Sequence, residues 1–198
     1  MVGRERDFRV EALDLGQIRD IYRTYMTADF PDNELKPLSM IEAAVARGEY
    51  CCFGAMAGGK TLAYAFLVCL SRGGRKLCLF DYLAVRRELR GSGLGSAFMK
   101  ALSAGQLREF DCVLLEVDHP AFAETDAERG IRERRLRFYL RNGLVETGVE
   151  ARVYGAEYRI LTFPFARPRD AEDTRETYAA LYRAIMPPRI YARMVAIR

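Results

Sequence analysis

Arg90-Gly91-Ser92-Gly93-Leu94-Gly95 is the stretch on which the reading of this sequence turns. It follows an apolar strand-like segment, Leu77 to Val85, and opens a helix-like one. Three glycines within five positions leave the backbone bare, so its N–H groups can approach a large anion without Cβ atoms in the way. The start of a helix adds unpaired N–H donors and the positive end of its dipole. The run reads as a diphosphate cradle; on its own, it can also be a plain strand-to-helix turn.

Two familiar cradles are excluded. A dinucleotide fingerprint needs a third glycine where this chain has Ser96, and a Walker loop needs Gly-Lys-Ser/Thr, which is absent. A second stretch narrows the choice: Arg134-Arg135-Leu136-Arg137-Phe138-Tyr139-Leu140-Arg141-Asn142-Gly143-Leu144. An apolar strand, Cys112 to Val117, separates the two.

The first run resembles Arg/Gln-x-x-Gly-x-Gly/Ala, the coenzyme A pyrophosphate loop of the GNAT acyltransferases. The second is similar to that family's helix with a Phe/Leu-Tyr pair, followed by Asn-Gly and an apolar residue entering a strand. The resemblance covers roughly Leu13 to Phe163 and is nearest to bacterial members with Glu-Val-Asp/Glu after the fifth strand. It implies acetyl-CoA as cosubstrate and N-acetylation of an amine, with Arg90, Gly91, Ser92, Gly93, Leu94, Gly95 and Ser96 on the pyrophosphate. The backbone of Leu83, Ala84 and Val85 would bind the pantetheine arm, and Tyr139 would be the general acid. Many members carry Asn seven residues before that tyrosine; here the position is Arg132.

Acyl transfer from a thioester to an amine requires that the amine lose a proton, because a lysine-like amine of pKa ~10.4 is protonated at neutral pH. Asp81, in Phe80-Asp81-Tyr82-Leu83-Ala84-Val85, is the candidate base, sharing a strand face with Leu83 and Val85. It can also be a strand carboxylate paired with an arginine. Glu116 is the competing carboxylate, because the resemblance places its strand beside the acceptor cleft. The resemblance also makes Asp32, Glu34 and Lys36 candidates for the amine pocket; otherwise they form a solvated loop. Tyr139 can also be a core aromatic on the helix face of Leu136 and Leu140, but Asn142-Gly143 after it favours the acid.

Composition bounds the rest. The chain has 198 residues, half of them apolar, which is enough for one domain. That domain is expected to span 1–198, with its core at about 8–163 and a C-terminal helix and tail at 170–198. No run approaches ~18 apolar residues, and Met1-Val-Gly-Arg-Glu-Arg-Asp7 has no apolar signal region, so a cytoplasmic protein that meets no membrane is expected. Five cysteines, all in strand-like runs and without a C-x-x-C pair, read as buried thiols; with one histidine, no metal is expected. A net charge of +4 does not call for nucleic acid. The arginines at 129, 132, 134, 135, 137 and 141 form a solvated face or reach coenzyme A phosphates.

Periodicity gives the order βααβββαβαββ with an added C-terminal helix, an α/β (α+β) arrangement. It matches the GNAT acyl-CoA N-acyltransferase fold, a mixed sheet of about seven strands with helices on both faces. Asp14 and Gln17 predict a capping box, Ser39 and Glu42 a second cap, and Asp170 a third. A polar loop is predicted from His119 to Gly130. The tail's Ile190, Tyr191, Met194 and Val195 could fold back or cover a partner subunit in a homodimer. The resemblance implies a small-molecule or peptide amine as acceptor, which the sequence itself does not name. The alternative reading is a non-catalytic acyl-CoA-binding regulatory module.

Overall fold

The computed structural model describes residues 7–31 and 34–198. Its strands β1 (Arg9–Ala12), β2 (Tyr50–Ala57), β3 (Lys60–Arg72), β4 (Arg75–Val85), β5 (Cys112–Asp118), β6 (Val145–Val153), β7 (Ala156–Thr162) and β8 (Val195–Ile197) follow the order β1-β2-β3-β4-β5-β7-β6-β8 in one eight-stranded mixed sheet. The chain groups into two compact units: Met1–Cys69 with Asp81–Gln106, and Leu70–Phe80 with Leu107–Arg198.

In the first unit, β1 (Arg9–Ala12), β2 (Tyr50–Ala57) and β3 (Lys60–Arg72, to Cys69 in this unit) form an antiparallel ladder. Gly58 and Gly59 join β2 to β3 with φ of 55° and 72°, values that suit a two-residue hairpin turn and the twist of its strands. β3 is buried continuously from Leu62 to Cys69, so its sequence shows no alternation; it is covered on both faces. α1 (Leu15–Ile21) starts at the predicted capping box, with Gln17 N on Asp14 Oδ1 at 2.8 Å and Asp14 N on Gln17 Oε1 at 2.9 Å. A π turn at Tyr22–Met26 then buries Met26 five residues after Ile21, and the short α2 (Thr27–Asp29) follows.

α3 (Leu38–Ala46) begins two residues earlier than Ser39 would allow as a cap. Pro37 is the N-cap and its carbonyl accepts from Met40 N, while Glu42 forms an ion pair with Arg19 at 2.5 Å. α4 (Leu94–Ala104) buries Leu94, Phe98, Met99 and Leu102, with Phe8 edge-on to Phe98.

In the second unit, β4 (Arg75–Val85, here to Phe80) pairs in parallel with β5 (Cys112–Asp118) over Leu77–Phe80 and Cys112–Leu115. β7 (Ala156–Thr162) lies antiparallel to both β5 and β6 (Val145–Val153). α5 (Asp126–Arg141) corrects the loop expected up to Gly130. Thr125 accepts from Glu128 N at 3.2 Å and starts the helix five residues before that glycine. Asp170 caps α6 (Ala171–Ile185) as predicted. The tail folds back: α7 (Pro188–Met194) leads into β8 (Val195–Ile197), which pairs with β6 and brings the strand total to eight. No helix among the described residues is long and apolar enough to cross a membrane, and no group of three or more candidate metal ligands occurs among them.

Candidate active site

The glycine turn presents bare backbone. Gly91 and Gly93 have φ of 79° and 88°, and a Cβ built on either would meet nothing within 4 Å. Gly93 is the N-cap of α4; the Ser92 hydroxyl donates to Leu89 O at 2.7 Å and accepts from Leu94 N at 3.3 Å. The N–H groups of Gly95 and Ser96, in the first turn of the helix, find no acceptor among the described residues. The Arg90 guanidinium is already engaged. Its Nε donates to Val85 O at 3.0 Å and its Nη2 to Asp29 Oδ1 at 2.6 Å. Asp29 is buried and also accepts from the Tyr64 hydroxyl at 2.9 Å. Burial first, and then the Asp29 charge, push the Tyr64 phenol up.

Asp81 gathers a second cluster in the same unit. Both carboxylate oxygens accept from Lys36 Nζ, at 2.6 and 2.9 Å, and Oδ2 also accepts from the Tyr50 hydroxyl. The Lys36 loop is fixed at its backbone. Tyr82 OH donates to Glu34 O and accepts from Lys36 N, both at 2.9 Å, and Tyr22 OH donates to Lys36 O at 3.0 Å. Lys36 Nζ also sits 5.4 Å from the centre of the Tyr82 ring. Burial and the neighbouring Asp81 charge raise the phenols of Tyr50 and Tyr82. Lys36 is therefore no solvated loop residue. Glu34 contributes its carbonyl to the loop, and Asp32 lies outside the described residues.

The second unit carries the other candidates. Tyr139 is 8% exposed, and its hydroxyl has no hydrogen-bond partner among the described residues. Burial pushes its phenol up to about 12, with Arg135 opposing and Asp118 assisting. Asn142-Gly143 closes α5: Asn142 Nδ2 donates to Phe138 O at 2.7 Å, Gly143 has φ of 90°, and Leu144 N returns to Tyr139 O at 3.2 Å. Glu116 Oε1 accepts the hydroxyls of Tyr178 and Tyr182, which tie this strand carboxylate to α6.

The profile of the Acetyltransferase (GNAT) family matches residues 15–125, more than half of the chain. The chain belongs to this family, and it is an N-acetyltransferase. A GNAT-family acetyltransferase from Bacteroides thetaiotaomicron is similar in fold, with a TM-score of 0.64 at 16% identity over 88% of this chain and 96% of that one. A spermidine N-acetyltransferase chimera from Vibrio cholerae gives 0.56 at 15% identity over 79% and 94%. A Bacillus subtilis acetyltransferase in complex with CoA gives 0.51 at 12% identity over 79% and 98%. No curated protein matches the chain by sequence.

The GNAT match includes the glycine turn, Lys36, Asp81 and Glu116 but ends before Tyr139. Arg132, at the position where many GNAT members have Asn, is used within its own unit: it donates to His119 O at 3.0 Å and to Glu128 at 2.6 Å. Arg129, Arg135 and Arg137 likewise form ion pairs with Asp126, Asp118 and Glu133. Sequence reasoning missed Asp29 and Tyr50. Neither belongs to a local motif, and their partners lie 31 to 61 positions away in the chain.

Proposed function

We propose that this GNAT enzyme transfers an acetyl group from acetyl-CoA to a primary amine of a small molecule or protein by direct attack. The observation that carries the reading is the Gly91–Ser96 turn: open space where Cβ atoms would stand, and unclaimed N–H groups at the positive end of an eleven-residue helix. Those features suit a diphosphate. The CoA complex of the Bacillus subtilis relative supports the same ligand. The thioester supplies an acyl carbonyl activated for attack. Gly91 to Ser96 would hold the pyrophosphate, and Leu83, Ala84 and Val85 would offer main-chain groups to the pantetheine arm. Arg90 acts by shaping the loop, since its guanidinium is already engaged.

Asp81 takes the proton of the attacking amine. The amine attacks in its neutral form, with its lone pair on the thioester carbonyl, and Asp81 receives the proton that the nitrogen sheds as the new C–N bond forms and makes it acidic. Glu116, already bound by two phenols, supports β5 and α6. Tyr139 keeps its proton: at about 12 it is a weaker acid than a thiol near ~8.5. It stabilises the departing sulfur by donating a hydrogen bond, without full proton transfer.

A free-thiol release assay with acetyl-CoA across amines, amino acids and lysine peptides tests the reading. Thiol release that depends on an amine supports it. Coenzyme binding without thiol release for any amine would overturn it.

A further inference from the structure

The proposed base already holds an alkylammonium. Lys36 reaches Asp81 through an unbranched four-carbon arm and presents its Nζ to both carboxylate oxygens, at 2.6 and 2.9 Å. Aromatic rings surround the pair. Tyr82 lies 5.4 Å beneath Nζ, Tyr50 donates to the same carboxylate, and Phe66 stands edge-on to both tyrosines, with centroids at 6.2 and 6.5 Å. A carboxylate combined with aromatic faces is the chemistry that recognises a cation on an apolar stem. The Lys36 side chain is 27% exposed and that of Asp81 14%, so the seat is half-closed and can be entered from solvent.

We infer that Asp81, Tyr50 and Tyr82 form the seat for the acceptor's ammonium, that the seat takes a linear primary alkylamine of the lysine type, and that Lys36 occupies it as a resident competitor. The inference rests on the reading of Asp81 as the carboxylate that receives the acceptor. An incoming amine must displace Lys36. Acceptors that place a straight methylene arm along the Tyr82 ring match the displaced group. Branched or aromatic amines do not.

The probe is n-butylammonium, the Lys36 side chain as a free molecule, titrated by NMR without coenzyme. Lys36→Ala should bind it about tenfold more tightly than wild type, because the competitor is gone. Lys36→Met, which keeps the stem in the seat, should show no gain, and adding Asp81→Asn to Lys36→Ala should abolish it. Equal binding by wild type and Lys36→Ala, or a gain that survives Asp81→Asn, overturns the inference. Should Lys36→Ala melt far below wild type, the acceptor series decides on the unaltered enzyme. There, n-butylamine and lysine peptides should exceed tert-butylamine and aniline about tenfold in kcat/KM, and the reverse order overturns it. Failure of the acetyl-transfer reading appears separately, as absent thiol release with every amine, while the NMR titration still reports on the seat.

Discussion

The buried carboxylate of Asp29 holds the guanidinium of Arg90 at 2.6 Å, and through it α2 anchors the first residue of the glycine turn. The pair is separated by 61 positions in the chain. Tyr64 completes the anchor from β3, so the turn is braced from behind while its outer surface stays bare.

Asp29→Ala should therefore weaken coenzyme A binding by about tenfold, because a cradle that moves must be ordered on binding. The stranded hydroxyl of buried Tyr64 adds ~1–3 kcal/mol of destabilisation, and at ~2–4 °C per kcal/mol Tm should fall by several degrees. Asn at this position keeps one acceptor and should fall between. Calorimetric titration well below both melting points separates the two effects. Lower Tm with unchanged affinity would reduce Asp29 to a purely structural role.

The cradle itself is best tested at Gly95. Gly93 has φ of 88°, where a β-branched residue is strained whatever the ligand, so Gly93→Val confounds folding with binding. Gly95 lies within α4. Gly95→Val should leave circular dichroism near wild type and remove measurable coenzyme binding. Affinity within twofold of wild type would remove the pyrophosphate assignment.

Local signals were the legible part of this fold. Asp14 with Gln17 and Asp170 with Asp173 announce helix starts within four residues, and Gly58-Gly59 announces a hairpin. Thr125 with Glu128 carried the same kind of signal, but Gly130 and the charged run masked it. β8 was not legible, because a three-residue edge strand is specified by its partner β6. The site divides along the same line. The Gly-rich turn and Asp81 stood out by motif and strand position, whereas the Lys36 pairing, 45 residues away, follows from tertiary placement.

For the base, Asp81→Asn should lower kcat/KM for the acceptor by ~10²–10⁴-fold at neutral pH, with acetyl-CoA affinity little changed. Glu116→Gln should register mainly in Tm, because its Oε1 serves the hydroxyls of Tyr178 and Tyr182. Steady-state kinetics and melting curves on both variants make the comparison. A catalytic loss confined to Glu116→Gln would transfer the role to that residue.

Tyr139 gives the sharpest contrast between packing and chemistry. Phe at this position keeps the ring that packs beside Phe138 and Leu136 and removes only a hydroxyl that has no partner among the described residues. Folding should therefore be preserved. If the hydroxyl meets the leaving sulfur, kcat and kcat/KM should fall together by at least ~10-fold while coenzyme affinity holds, as for an interaction made in the transition state. The raised phenol fixes the pH behaviour. Burial favours the neutral form in the folded state, so the hydroxyl remains a donor at every pH below about 12. Stability linked to this group is intact below the unfolded value near ~10 and is lost as pH rises from there toward the folded value. The ratio of wild-type to Tyr139→Phe kcat should accordingly stay flat between pH ~7 and ~9, with no inflection from a titrating tyrosine. An unchanged kcat in a stable variant would return Tyr139 to the core as a packing aromatic.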